Sequence, residues 1–216
     1  MLLQPVNGGF NNTVRVQALS PSAATISDSH ASLASELNLD HKAREFTKIG
    51  PNNLSVAVQV SAAQFDLLLK ADLEYTESEQ FGWKAVLSSA LKPNRKSSFV
   101  KIGHHGSQNA DADGIWQSMV ENDPLCVVTP YARLREPLPT SADIQRIKTR
   151  TNQLFSTTWP PSSKPPRRMG VDGTIAGAIR NRRSLSRKPG FARIRFQFDS
   201  SEFQPEVKLF GSAQRL

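Results

Sequence analysis

The stretch SSFVKIGHHGSQNADADGIW, residues 97–116, places two adjacent histidines between an apolar run and a Gly-Ser turn. The apolar run predicts a strand that ends at His104, and a polar loop follows it. A strand end can hold ligands rigidly, and imidazole is an ordinary ligand for zinc or manganese. The same spacing also fits a helix-capping loop in which Ser107 or Asn109 precedes a helix that begins at Asp111. The residues alone therefore leave a metal site and a polar loop as alternatives.

A second apolar region, residues 52–74, predicts a strand, a turn and another strand, because apolar residues alternate on both sides of the turn. The second of these strands leads to Asp72. A carboxylate at one strand end and histidines at another suit a metal site, since loops at one edge of a sheet converge. We therefore expect Asp72, His104 and His105 to lie at the same edge of one sheet, at the ends of neighbouring strands. Their side chains would be close enough to share a metal or a water.

The rest of the chain alternates between strand and helix patterns, which predicts an α/β layered domain. Further strands are expected within residues 13–22, 124–131 and 153–158, and helices from residue 23 towards 50 and within 76–91, 111–122 and 138–151. The predicted organisation has three parts: the α/β part at residues 1–158, a Pro/Arg-rich loop or linker at 159–190, and C-terminal strands at 191–216.

The chain is strongly basic, with a net charge of +8 and a sequence pI of about 9.9. Such a balance favours polyanionic partners, DNA or RNA among them. Much of the excess lies after residue 163, and the candidate phosphate contacts there are Arg180, Arg182, Arg183 and Arg187. Phe191, Phe196 and Phe198 interleave with further basic residues, an arrangement that also suits nucleic acid. The alternative interpretation is a solvated basic loop.

The single cysteine, Cys126, excludes a disulfide framework within one chain and fits a reducing compartment. It lies in the apolar run PLCVVTP and is expected to be a buried strand residue. The N-terminal residues lack the basic and apolar regions of a signal peptide, and no segment approaches the length of a membrane span. We therefore expect a cytoplasmic protein with no membrane partner.

The order of these elements resembles the C-terminal half of the metallo-β-lactamase fold. The nearest branch contains the hydrolase domain of bacterial competence DNA-uptake channels. The resemblance covers residues 14–158 and rests on three stretches: NNLSVAVQV at 52–60, LLLKADLE at 67–74 and VKIGHHGS at 100–107. LLLKADLE corresponds to the family's GD-(L/V)-E motif, and GHHGS is the most specific part of the match.

The resemblance implies a role for each matching residue. Asp72 would bridge two metal ions, zinc or manganese, and one of the two histidines would bind the second metal. We expect His105 to be that ligand and His104 to act catalytically, towards the substrate phosphate, although the sequence does not decide between them. Glu74 and Ser107 would hydrogen-bond the metal ligands.

The chain departs from the family in one respect, because it has no H-x-(H/D)-x-D-H motif and neither His30 nor His41 has that spacing. Three interpretations follow. The first is that the chain is a fragment, or part of a split hydrolase whose N-terminal half lies on another polypeptide such as a neighbouring-gene product. The second is a non-catalytic descendant that binds a partner or nucleic acid, and the third is an unrelated basic α/β binding protein. The presence of Asp72 together with HHGS favours the first interpretation over the second.

We therefore expect half of an αββα sandwich with a basic C-terminal extension. The expected function is metal-dependent hydrolysis of phosphodiesters in nucleic acid, with the chain inactive alone, because one aspartate and one or two histidines cannot hold two metals. The alternative is a non-catalytic basic subunit that binds nucleic acid or protein. The sheet face that would pack on the other half is expected to be apolar and exposed, so the isolated chain should associate.

Overall fold

The computed structural model describes residues 14–37, 50–132, 136–160, 189–197 and 205–216. The strands are β1 Val14–Ala18, β2 Val58–Ala62, β3 Phe65–Leu69, β4 Ser97–Lys101, β5 Val120–Val128, β6 Leu154–Ser156, β7 Gly190–Arg195, β8 Glu206–Gly211 and β9 Gln214–Arg215. The α-helices are α1 Ala23–Leu37, α2 Gly82–Ser88, α3 Asp113–Met119 and α4 Ser141–Lys148. Short 3-10 turns occupy Pro51–Leu54, His104–Gly106 and Gln108–Ala110. No helix in these ranges is long and apolar enough to cross a membrane.

Seven strands form one mixed sheet in the order β1-β2-β3-β4-β5-β6-β9, and β7 pairs with β8 in a separate two-stranded sheet. The central strands β3 to β6 run parallel to one another, whereas β1, β2 and β9 pair in antiparallel fashion. The predicted hairpin at residues 52–74 is confirmed as β2 and β3. The α/β class is confirmed, and the three-part division of the chain stays a prediction.

One face of the sheet carries the larger core, which three helices cover. Alternate residues of the central strands point to this face, as expected for a pleated strand. The sheet side of this core consists of Leu68, Val100, Cys126, Val128 and Leu154, and the helices contribute Trp83, Val86, Ile115, Trp116, Met119 and Ile147. Cys126 is a buried free thiol, as predicted, and burial raises its pKa far above the ordinary value.

The opposite face is also apolar, and the C-terminal hairpin β7–β8 covers part of it. Its sheet residues are Phe99, Leu125, Val127 and Phe155, against which Ile194, Phe196 and Val207 of the C-terminal segment pack. The expectation that this face is exposed is therefore wrong for the central strands. The strand pattern of the C-terminal residues was visible in the sequence, but the surface that they cover was not.

Two helix boundaries have identifiable causes, one in strand pairing and one in a local cap. The helix expected to continue to residue 122 ends at Met119, because buried Val120 already pairs with Ser97 and begins β5. Helix α4 begins as the Thr-Ser sequence predicts. Thr140 accepts a hydrogen bond from the backbone of Asp143, and the Asp143 carboxylate accepts one from the Thr140 backbone, which completes a capping box.

Candidate functional site

Three neighbouring parallel strands, β3, β4 and β5, end at one edge of the sheet. Asp72 follows β3 by three residues, His104 follows β4 by three, and Thr129 comes directly after β5. The backbone N–H of His104 donates to the Ala71 carbonyl over 2.9 Å, which joins the first two loops. The prediction that Asp72 and the histidine pair share one edge, at the ends of neighbouring strands, is therefore confirmed.

The histidine loop has an unusual backbone, because three successive residues lie in the left-handed region. The φ angles are 42° at His104, 55° at His105 and 91° at Gly106. For a residue with a side chain this conformation costs about 1–2 kcal/mol. Strain of this kind is concentrated at functional sites, where the surrounding structure over-determines it. Glycine suits the third position, since an added methyl group would also crowd the ring of Pro139.

The imidazole of His105 is fixed by two contacts. Its Nδ1 lies 2.8 Å from the carbonyl oxygen of Thr129, and its ring stacks on Tyr131 with the ring centroids 4.9 Å apart. A carbonyl can only accept, so Nδ1 carries a proton, and in the neutral ring Nε2 is then the nitrogen with the lone pair. Histidines that bind metals usually have this arrangement, in which a hydrogen bond to one nitrogen orients the other.

His104 faces a different set of partners. Its Nδ1 lies 3.5 Å from Glu74 Oε1, and its Nε2 lies 3.4 Å from the side-chain amide of Asn52. Asn52 also donates to the same Glu74 oxygen over 2.9 Å. Within the described ranges, buried His104 Nδ1 makes no hydrogen bond. Glu74 lies beside His104, where a residue that supports the histidine pair is expected. The contact of Asn52 with both residues was not predicted from the sequence.

Asp72 is half-buried at the same edge, and its carboxylate lies close enough to Lys101 to influence the pKa of that lysine. Burial lowers the pKa of Lys101, and the negative charge of Asp72 partly offsets that effect. The ammonium group of Lys101 donates to the Ile102 carbonyl over 3.2 Å. A cation is thus already present near the Asp72 carboxylate.

A buried network of charges lies behind the histidine loop. Lys70 Nζ lies 3.2 Å from Asp111 Oδ1, and the two side chains are only 2% and 10% exposed. The ammonium group also lies 5.6 Å from the ring centroids of both Trp83 and Trp116. Burial lowers the pKa of Lys70 below its ordinary value, and the charge of Asp111 opposes that shift. Burial would raise the pKa of Asp111, but the charges of Lys70 and Arg146 outweigh it and the pKa falls.

Arg146 connects this network to the loop. Its guanidinium group pairs with Asp111, lies 3.0 Å from Asp143 and donates to the Gly106 carbonyl over 2.7 Å. Trp116 Nε1 donates to Asp111 over 2.6 Å, which satisfies the carboxylate further. Because Arg146 holds the last left-handed residue of the loop, the network helps to fix the backbone that carries His104 and His105.

The sequence-predicted site residues have different outcomes. The side chains of Asp72, His104 and His105 stay candidates for metal binding. The part of the chain that the structure describes contains no group of three or more His, Cys, Asp and Glu residues placed to hold a metal ion. The four predicted nucleic-acid residues, Arg180, Arg182, Arg183 and Arg187, lie outside the described residues. Residues that sequence reasoning missed are Asn52, Lys70, Asp111, Thr129, Tyr131 and Arg146.

Comparison of the chain with known proteins identifies no relative. No protein-family model, no curated protein and no solved structure matches the chain.

Proposed function

We propose that this chain supplies one side of a metal-dependent phosphodiesterase site of the metallo-β-lactamase type, with nucleic acid as the substrate class. The observation that carries the proposal is the His105 imidazole, whose Nδ1 is held by the Thr129 carbonyl at 2.8 Å. That contact leaves the other ring nitrogen, Nε2, to bind a metal. The loop that carries it lies at the edge of the sheet where Asp72 also lies. The sheet and helices α2–α4 would correspond to one half of the αββα fold, with the hairpin β7–β8 covering part of the face on which the other half packs.

A zinc or manganese ion fits part of this residue set. His105 has the tautomer that a metal ligand needs, and Asp72 contributes an oxygen, which both metals accept. When bound, such an ion would polarise a phosphoryl oxygen of the substrate and stabilise the charge that develops on it. Catalytic zinc sites use three protein ligands, so Asp72 and His105 need a further ligand. We assign that ligand to a second polypeptide.

The C-terminal hairpin limits how a second polypeptide can approach. Ile194, Phe196 and Val207 already occupy the layer over the central strands, where the other half of a sandwich would pack. The added ligand would therefore come from the edge of the sheet at which β3, β4 and β5 end. That edge carries the left-handed loop, where three successive residues have positive φ angles.

His104 and Asn52 would contact the substrate rather than the metal. The His104 side chain remains partly exposed, and its ring and the Asn52 amide lie within 3.4 Å of each other. In the absence of substrate the Asn52 amide is directed at Glu74 and at His104 Nε2, so a phosphate oxygen would accept from Asn52 by displacing one of these contacts. Glu74 lies between them and orients both, since it accepts from Asn52 and lies beside His104 Nδ1.

Phosphodiester hydrolysis tests this proposal. The isolated chain with Mn²⁺ or Zn²⁺ should turn over bis(p-nitrophenyl) phosphate no faster than buffer with metal, because its ligand set is incomplete. Addition of a polypeptide that carries an H-x-H-x-D-H motif, encoded beside this chain's gene, should produce turnover that Asp72→Ala abolishes. Elemental analysis should find less than stoichiometric metal in the purified chain. Tight stoichiometric metal, with turnover by the chain alone, would contradict the incomplete site.

A second candidate is a non-catalytic, basic subunit that binds nucleic acid. The specific observation in its favour is the lack of a three-ligand group among the described residues. The two candidates differ in the second half of the same assay. If no H-x-H-x-D-H polypeptide restores turnover while the chain still binds nucleic acid, the non-catalytic function replaces the first proposal.

A further inference from the structure

The outer face of the β7–β8 hairpin has a composition different from its inner face. Side chains alternate between the two faces along a strand. Because Ile194 and Val207 pack on the main sheet, the residues next to them in each strand point away from it. The outward residues form three cross-strand pairs: Phe191 with Phe210, Arg193 with Lys208, and Arg195 with Glu206. This outer face therefore presents one aromatic pair followed by two charged pairs.

The aromatic pair is stacked in solvent. The rings of Phe191 and Phe210 lie 4.5 Å apart with an interplanar angle of 12°, and the two residues are 58% and 37% exposed. Leaving such side chains partly in water forgoes part of the free energy that their burial would provide. A flat ring exposed in this way is a platform on which a nucleobase can stack, whatever the base.

The charged pairs carry a positive excess. Arg193, Arg195 and Lys208 oppose Glu206, which leaves two net positive charges on this face. Glu206 lies 2.5 Å from Lys208 and 3.8 Å from Arg195. The guanidinium carbon of Arg193 lies 5.5 Å from the Phe210 ring centroid, and its Nε has no hydrogen-bond acceptor among the described residues. Because this Nε is buried, Arg193 would contact a phosphate oxygen through the terminal nitrogens of its guanidinium group.

The aromatic end of the hairpin lies at the edge of the sheet that carries the candidate site. Gly190, next to Phe191, packs so closely on the Thr157 carbonyl that a methyl group there would collide with it. Thr157 follows β6, which is parallel to β4 and two strands away, about 10 Å. At the other end of the hairpin, Phe196 packs on Phe65, the first residue of β3, with ring centroids 5.3 Å apart.

We propose that this outer face binds single-stranded nucleic acid, with a base stacked on Phe191 and the backbone along Arg193, Lys208 and Arg195. A single strand is the occupant because only unpaired bases can expose a face to the phenyl ring, whereas a duplex offers its phosphates alone. The inference rests on the proposed function in one respect, that nucleic acid is the substrate class. The strand would run towards the edge where Asp72 and His105 lie.

Binding of a fluorescein-labelled oligothymidylate, measured by fluorescence anisotropy with the full chain, tests the inference. Stacking of one base is worth about 1–3 kcal/mol, so Phe191→Ala should weaken binding about 5- to 150-fold. Phe191→Ala should leave binding of a duplex of the same length nearly unchanged. Leu91→Ala is the matched control, because Leu91 is also an exposed apolar residue but lies away from the hairpin.

The charged residues give an independent reading of the same surface. Removing Arg193 and Lys208 together should reduce the slope of log affinity against log salt by about 0.7 for each lost phosphate contact. Arg150→Ala is the control, since Arg150 pairs with Asp113 of α3. Circular dichroism melts would establish that each variant is folded; if Phe191→Ala is not, Phe191→Leu and the charge variant decide the question.

Two results would overturn the inference. One is unchanged oligothymidylate affinity and salt slope in the folded hairpin variants. The other is that Phe191→Ala abolishes self-association in sedimentation experiments without affecting nucleic-acid binding, which would assign the face to a second copy of the chain. Failure of the proposed function gives a different result from failure of this inference. If no mixture hydrolysed the phosphodiester, the proposed function would fail, but the hairpin substitutions would still weaken oligothymidylate binding.

Discussion

Replacing Asp111 with asparagine should lower the free energy of unfolding by about 3–5 kcal/mol, the range found when one partner of a buried ion pair is removed. Asparagine keeps the shape of the side chain but removes its charge. The ammonium group of Lys70, whose side chain is 2% exposed, would then lack its carboxylate, and Arg146 would lose one of its two acidic partners. Urea unfolding followed by tryptophan fluorescence measures the effect.

Asp113→Asn is the matched control for this prediction. Its carboxylate is 72% exposed and pairs with Arg150 at the surface, so its loss should change stability by no more than about 1 kcal/mol. Lys70→Met in the Asp111→Asn background should recover part of the loss, because it removes the buried unpaired cation. Equal unfolding midpoints for Asp111→Asn and the wild-type chain would contradict the network's role.

The lowered pKa of Asp111 also predicts an acid dependence. A carboxyl group whose pKa is lower in the folded state stabilises the protein above its unfolded pKa, ordinarily 3.8, and loses that contribution as the pH falls towards the folded value. The stability of the wild-type chain should therefore decrease below pH 3.8 through this group. Asp111→Asn should lack this component of the acid dependence.

The second large effect concerns metal binding at the sheet edge. Asp72→Asn and His105→Gln should each weaken Zn²⁺ binding by at least about tenfold, and towards a hundredfold, since removal even of a residue that only supports a ligand costs that much. His30→Gln is the control, because His30 is exposed on α1. Calorimetric titration of the three variants measures the change. If all three bind zinc like the wild-type chain, the ions are held at other surface groups.

The strand ends that carry the site were predictable from local pattern. Residues 52–74 and 97–103 alternate or run apolar and then turn polar, so the sequence indicates where each strand stops. Parallel pairing of β3 with β4 then places Asp72 and His104 together. The Thr-Ser sequence before α4 likewise predicted the capping residue, because a cap depends on neighbours within three positions.

The charge network was not predictable, because its partners are far apart in sequence. Asp111 bonds to Lys70 and Arg146, which lie 41 and 35 residues away. Its position suggested the acidic start of a helix, and a single lysine after an apolar strand is ordinarily a surface residue. The only local sign that Lys70 is buried is its position between three leucines and Ala71, with no Gly, Pro, Asn or Ser beside it.

The C-terminal hairpin shows the same division between local and distant information. Ile194 and Phe196 alternate with Arg193 and Arg195, which predicts a strand with one apolar face. Nothing in that pattern identifies Phe99 or Phe155 as the surface it covers. The position of the Phe191–Phe210 pair near the site edge follows from this packing, and so it could not be read from the sequence.

Nitrogen-15 NMR of the histidine rings during a zinc titration tests the central claim most directly. Before zinc is added, His105 should carry its proton on Nδ1, because the Thr129 carbonyl accepts from that nitrogen. Zinc should then shift the His105 Nε2 resonance, and Asp72→Asn should suppress the shift. A His105 ring protonated on Nε2, or a Nε2 resonance that zinc leaves unchanged, would contradict the assignment of His105 and Asp72 to one metal site.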